Sequence, residues 1–244
     1  SLGVYGHPLV ATPTLEALAG RGVVFDRAYC NHPACVPSRC SMMTGRYPST
    51  TGSYENFIHL DPAERSLPHV LGDAGYQTAL IGKNHAFSEV QEQPGLADEL
   101  HRVFDYVRLG GHGGMVEGYE DDPRVQASVA WAREHCWSAP GGYGTNPHPA
   151  EVSGTHLLAE TALGYLADER DATRPFFLWL SFPDPHTPYQ APEPYASLYD
   201  PADVPLPPAD DLATKPERQR VAHAMDAVDR TPPEHIQAMR AIHY

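Results

Sequence analysis

The chain has 244 residues, 41% of them hydrophobic and 20% charged, which is long enough for a sizeable core and too apolar for a disordered or fibrous protein. Its net charge of -14 argues against nucleic acid or anionic lipid as a partner, so an anionic substrate would need a local cluster of cations. No apolar run reaches the roughly 18 residues that span a bilayer, and four cysteines are too few for a disulfide scaffold at this length.

Ser1-Leu2-Gly3-Val4-Tyr5-Gly6 has no initiator methionine, and Ala241-Ile242-His243-Tyr244 stops inside a helix-like pattern, so both ends read as cut. A periplasmic, secreted or cytoplasmic compartment is left open. Thr12 and Pro13 open a helix as N-cap and first helical residue, with Leu15 and Leu18 on one face and Gly20 and Gly22 beyond. Val23-Val24-Phe25 predicts a short strand. A helix from Pro37 through Met43, stopping at Gly45, puts Cys35 at or just before a helix N-terminus.

Leu67, Val70 and Leu71 predict a helix closing near Gly75, followed by Thr78-Ala79-Leu80-Ile81 as a buried strand. Lys83 and His85 then lie just past its C-terminal end. Residues 110–150 are rich in Gly, Pro, His and aromatics, with Gly113-Gly114 and Gly141-Gly142 as breakers, and read as a loop-rich insert over the sheet. Leu158, Ala162, Tyr165 and Leu166 form a helical stripe, and Phe176 to Phe182 reads as a central strand. Residues 200–218 form a Pro- and Asp-rich connector. Thr231-Pro232-Pro233-Glu234 reads as a capping box for a last helix carrying Ile236, Met239 and Ile242. Helix followed by a non-alternating apolar strand, twice over, predicts an α/β sandwich on a largely parallel sheet. Ligands of such sheets gather beyond the C-terminal strand ends.

The chemistry centres on Cys35-Val36-Pro37-Ser38-Arg39 with Thr44-Gly45-Arg46 after it. Unmodified, Cys35 near a helix N-terminus with Arg39 one turn on would be a nucleophile, a redox centre or an inert thiol. Cys30, Cys40 and Cys136 read as small buried fillers, since their spacing lacks the paired arrangement of a structural zinc site. Of the 14 histidines, His112, His135, His148 and His156 show no helical ligand spacing and read as surface or loop residues, while His32 is close to Cys35 only along the chain.

The Cys-x-Pro-Ser-Arg frame and its Thr-Gly-Arg echo resemble the signature of the type I sulfatases, which have an alkaline-phosphatase-like α/β fold. In that family the cysteine is oxidised to formylglycine by a formylglycine-generating enzyme, and the aldehyde hydrate attacks the sulfur of a sulfate ester beside calcium or another divalent cation. The resemblance makes Cys35 both nucleophile and metal ligand, and has Arg39 hold its oxygen. Gly82-Lys83-Asn84-His85 resembles the second motif, in which Lys83 would bind sulfate and His85 orient or deprotonate the diol. The family's usual hydrophobic continuation is replaced here by Ala86-Phe87-Ser88. Ser181 to Tyr189, with its Pro-His-x-Pro, resembles the third motif, and His186 would contact sulfate and protonate the leaving alcohol. Asp184 receives no carried-over role.

The family's remaining metal ligands, an Asp pair upstream and an Asp-Asn or Asp-His pair downstream, fall outside this chain. Residues 1–244 therefore read as a partial N-terminal catalytic domain, inactive alone, of an enzyme for sulfated small molecules or carbohydrates. Two alternatives stand beside it: a phosphonate monoester or phosphodiester hydrolase of the same superfamily, and a non-catalytic sulfate- or glycan-binding protein.

Overall fold

The computed structural model describes residues 2–87, 97–137, 142–207, 211–225 and 231–244. Ser1, Ser88, Gly141 and residues 208–210 of the expected connector lie outside them. In chain order come helices α1 (Pro13–Ala19), α2 (Cys35–Thr44), α3 (Pro48–Thr51) and α4 (Leu67–Asp73), strand β1 (Gln77–Gly82), helix α5 (Ala97–Val103) and strand β2 (Tyr106–Leu109). Then follow helix α6 (Pro123–His135), strand β3 (Tyr143–Asn146), helix α7 (Gly154–Gly164), strands β4 (Phe176–Ser181) and β5 (Tyr189–Pro192), and helices α8 (Glu217–Met225) and α9 (Pro233–His243). The chain forms two compact units, Arg27–Asp122 with Gly154–Asp184, and Ser1–Asp26 with Pro123–Ser153 and Pro185–Tyr244.

The first of these holds a parallel three-stranded sheet in the order β2-β1-β4. In register, Leu80 faces Val107 on one side and Trp179 on the other. The apolar run of β1 is buried from Thr78 to Gly82, as a strand bonded on both edges requires. Its core joins Val36 and Cys40 of α2 with Leu80, Phe87, Phe104 and Trp179. Helix α7 continues through one π-helical stretch, Tyr165–Glu169, and Tyr165 is fully buried with its ring 4.8 Å from Tyr106. The stripe read from Leu158, Ala162 and Tyr165 is thus the buried face of that helix.

In the other unit, β3 and β5 pair in parallel. Asn146 ties them to α6: its Nδ2 donates to Gln190 Oε1 at 2.9 Å and Ser128 Oγ at 3.0 Å. Gly144 is needed where the sheet meets α6, because a Cβ there would come within 3.0 Å of Trp131 and 3.2 Å of Cys136.

Several sequence expectations change. Val23, Val24 and Phe25 form no strand and are exposed, because no neighbouring strand among the described residues accepts their backbone groups. The stretch 110–150 is not only loops: α6 places Val125, Val129 and Ala132 on one buried face, a helical period that the surrounding glycines and histidines mask. Among the described residues, strand β4 sits at an edge of its sheet rather than the centre, with Phe176 42% exposed. The last helix forms, but Pro232 is its N-cap with no side-chain cap, so the box on Thr231 is not made. Cys40 and Cys136 are buried whereas Cys30 is exposed.

Candidate active site

Helix α2 begins with Cys35 as its first residue, after Ala34 in extended conformation, and ends at Gly45 with φ 68°. Arg39 follows one turn later on the same face. Cys35 is half-buried, and its Sγ donates to Asn56 Oδ1 at 3.4 Å. The same oxygen accepts the Val36 amide at 3.2 Å, one of the donors a helix start leaves without an intrahelical partner. His32 stays local, its Nδ1 accepting the Ala34 amide at 3.1 Å. Cys40, one turn further on, is fully buried, donates to Ala86 O at 3.4 Å, and has its pKa pushed up by burial. It is inert where Cys35 is accessible.

Arg39 links three elements. Its Nη1 donates to Ser181 Oγ at 2.7 Å and to Lys83 O at 3.1 Å, and its guanidinium lies 5.5 Å from the centre of the Trp179 ring. The start of α2 is thereby held against the C-terminal ends of β1 and β4. The Lys83 amide donates to Ser181 O at 2.7 Å, prolonging the β1–β4 ladder by one residue. Gly82 makes this approach possible: with φ 100°, a Cβ there would fall 2.1 Å from Ser181 O. Lys83 is only 5% exposed, so its side chain sits in a largely desolvated position at the strand end. Asn84, fully buried, closes the turn by accepting the Ala86 and Phe87 amides and donating to Phe87 O at 2.9 Å. His85 then takes a left-handed backbone, φ 57°.

The loop after β2 reaches the same rim, and His112 packs its ring against His85 with centroids 5.5 Å apart. Asp184, just past β4, accepts a hydrogen bond from the Thr155 hydroxyl at the start of α7. His186 belongs to the other compact unit, where it is exposed and its ring Nδ1 lies 2.7 Å from Thr187 O.

One unit thus brings together four of the five expected residues, Cys35, Arg39, Lys83 and His85, and adds Asn56, Ser181 and His112. Asn56 carries no signal in the sequence, since a lone amide in a polar loop resembles any turn residue. Ser181 falls within a motif but only as its first letter. His112 lies in a segment that reads as loop, and only the parallel pairing of β1 with β2 brings it to His85.

The Sulfatase family model matches residues 1–231. The chain belongs to the sulfatase family. It is 29% identical over 236 residues to an arylsulfatase of Clostridium perfringens, covering 89% of this chain and 47% of that protein. To the N-acetylgalactosamine-6-sulfatase of Canis lupus familiaris it is 30% identical over 213 residues, covering 80% of this chain and 38% of that one. The crystal structure of a phosphonate monoester hydrolase of Agrobacterium radiobacter superposes with a TM-score of 0.72 at 22% identity, over 98% of this chain and 52% of that chain. This likeness establishes the alkaline-phosphatase-like α/β fold. The sulfatase chain spans about half or less of the length of these relatives.

Proposed function

We propose that the enzyme containing this chain hydrolyses sulfate esters to an alcohol and sulfate, and that residues 1–244 are part of its catalytic domain. The observation that carries the reading is the meeting of Cys35, in an intact Cys-x-Pro-Ser-Arg frame on the first turn of α2, with the Lys83–His85 turn of β1 through Arg39.

The environment of Cys35 suits maturation to formylglycine, because this thiol is half-buried at a helix start and not sealed in the core as Cys40 is. So modified, residue 35 would supply a hydrated aldehyde as nucleophile, with a second hydroxyl that lets the sulfated adduct collapse. Arg39 keeps the first turn of α2 fixed and adds positive charge beneath it. Lys83, desolvated at the strand end, binds an anionic oxygen and stabilises the charge that develops as the ester bond breaks. His85 orients or accepts a proton from the attacking hydroxyl, and His186 donates one to the leaving alcohol.

The family implies calcium or another divalent cation, with Cys35 as one ligand. Among the described residues no group of three or more His, Cys, Asp or Glu could hold a metal ion, so the residues present do not compose that site. The substrate class we propose is a sulfated carbohydrate or small molecule, supported by a relative named for its action on a sulfated amino sugar.

The test is the mass of the tryptic peptide Ala28 to Arg39 from the full-length gene product, co-expressed with a formylglycine-generating enzyme. Conversion of Cys35 to the aldehyde, with hydrolysis of an aryl sulfate that Cys35→Ala abolishes, is the expected result. An unmodified thiol, with the maturation enzyme active on a control peptide, would sink the reading in favour of a binding protein. Faster turnover of an aryl phosphodiester than of the sulfate would move the enzyme to the phosphonate and phosphodiester hydrolases.

A further inference from the structure

Three strands end on one rim, and two of them deliver a histidine. His85 follows β1 in the left-handed region, which a non-glycine residue holds only when its surroundings enforce it. His112 follows β2, and the two imidazoles meet edge to face, 5.5 Å between centroids and 75° between planes.

The loop that carries His112 is built to hold it. Gly110 donates to Gly82 O at 3.2 Å, extending the β1–β2 ladder, and bridges to Val116. Gly111 donates to Met115 O at 3.1 Å, and Gly114 to Gly111 O at 3.2 Å, so the loop turns back on itself around His112. From outside, α7 packs on it twice. Leu158 lies so near Gly110 that a Cβ there would be 3.0 Å away, and Gly154 approaches Gly114 so closely that a Cβ on Gly154 would fall 2.8 Å from it. A side chain presented from backbone fixed on both sides can define the position of the ring it touches.

We propose that His112 is a positioning residue of the sulfatase site, acting through His85: its ring forms the wall that sets the direction of the His85 imidazole. The inference rests on the sulfate-ester reading above. Steady-state kinetics with an aryl sulfate would be run on full-length, matured enzyme, with formylglycine content matched by peptide mass and folding checked by thermal melting. His112→Ala should lower kcat roughly tenfold or more with KM changed less than about twofold, as loss of orientation at a proton-transferring group does. His112→Phe, which keeps a ring but no nitrogen, should retain kcat within about threefold. Unchanged kcat in His112→Ala overturns the proposal. So does a raised KM at constant kcat, which would mean direct substrate contact, or a folded His112→Phe as impaired as His112→Ala. Failure of both variants to fold would make His112 a purely structural residue and overturn it equally. An inactive wild type would overturn the sulfate-ester reading itself, and this inference with it.

Discussion

Arg39 and His69 show how single side chains hold the ends of elements. The Ser181 hydroxyl accepts a 2.7 Å bond from the Arg39 guanidinium, a charge-assisted contact in a half-buried setting. Ser181→Ala should therefore cost about 1 to 2 kcal/mol, read from the urea midpoint, since the Lys83 carbonyl still receives part of the cation. An unchanged midpoint would show that the carbonyl alone suffices. At the start of α4, the Ser66 amide donates to His69 Nδ1 at 3.2 Å, within a capping box that requires that nitrogen unprotonated. Burial, and then the neighbouring Arg65 charge, lower the His69 pKa, with Asp73 acting the other way. The unfolded chain then binds more protons than the folded one, so stability falls as pH drops through the ordinary histidine range to the lowered folded value. Between pH 7 and 5 the loss attributable to the cap should be at most about 1 kcal/mol. His69→Gln keeps an acceptor that does not titrate and should flatten that slope. Parallel slopes for the two proteins would clear His69 of the effect.

At the scale of elements, two glycines with positive φ separate strain from contact. Gly82 and Gly45 both have left-handed backbones, but only Gly82 lies against another strand, where an added Cβ would fall 2.1 Å from Ser181 O, whereas nothing lies within 4 Å of one at Gly45. Gly82→Ala should cost more than about 3 kcal/mol because β1 and β4 must part, and Gly45→Ala only about 1 kcal/mol of backbone strain. Equal denaturation midpoints for the two variants would refute this assignment. The same contrast explains what is legible in the sequence. Helix α2 and strand β1 are readable because each carries its own punctuation: Gly45 ends the helix, and Gly82 follows an unbroken apolar run. Helix α6 is hidden because its buried face, Val125, Val129 and Ala132, is narrow and set among polar residues. Val23-Val24-Phe25 misleads in the opposite direction, since β-branched and aromatic residues favour a strand only when a partner is beside them. On the rim, Cys35, Arg39, Lys83 and His85 are picked out by sequence motifs, and the residues that contact them are not. Asn56, Ser181 and His112 reach them through contacts between distant segments, which no local pattern encodes.

For the whole molecule, the deciding property is how the chain is threaded. It passes between its two compact units four times, after Asp26, Asp122, Ser153 and Asp184. The unit that carries Cys35, Arg39, Lys83 and His85 is thus completed only when Gly154–Asp184 returns to it. That segment supplies β4, which pairs with β1 from Gln77↔Phe176 to Gly82↔Ser181, and it supplies Trp179 to the core and Ser181 to Arg39. Without it, β1 would have an open edge along a fully buried, apolar strand, and the entropy of ordering Arg27–Asp122 would go largely uncompensated. A polypeptide of Arg27–Asp122 alone should accordingly show no cooperative thermal transition by far-ultraviolet circular dichroism, although its helical segments have local signals. Joining Gly154–Asp184 to it through a flexible linker should restore a transition, because the missing strand and helix are then present at high effective concentration. A cooperative melt of the shorter polypeptide would mean that α2, α4, β1 and β2 form a self-sufficient nucleus, and that the long-range β1–β4 pairing shapes the rim carrying Cys35 and Lys83 without being needed to fold it.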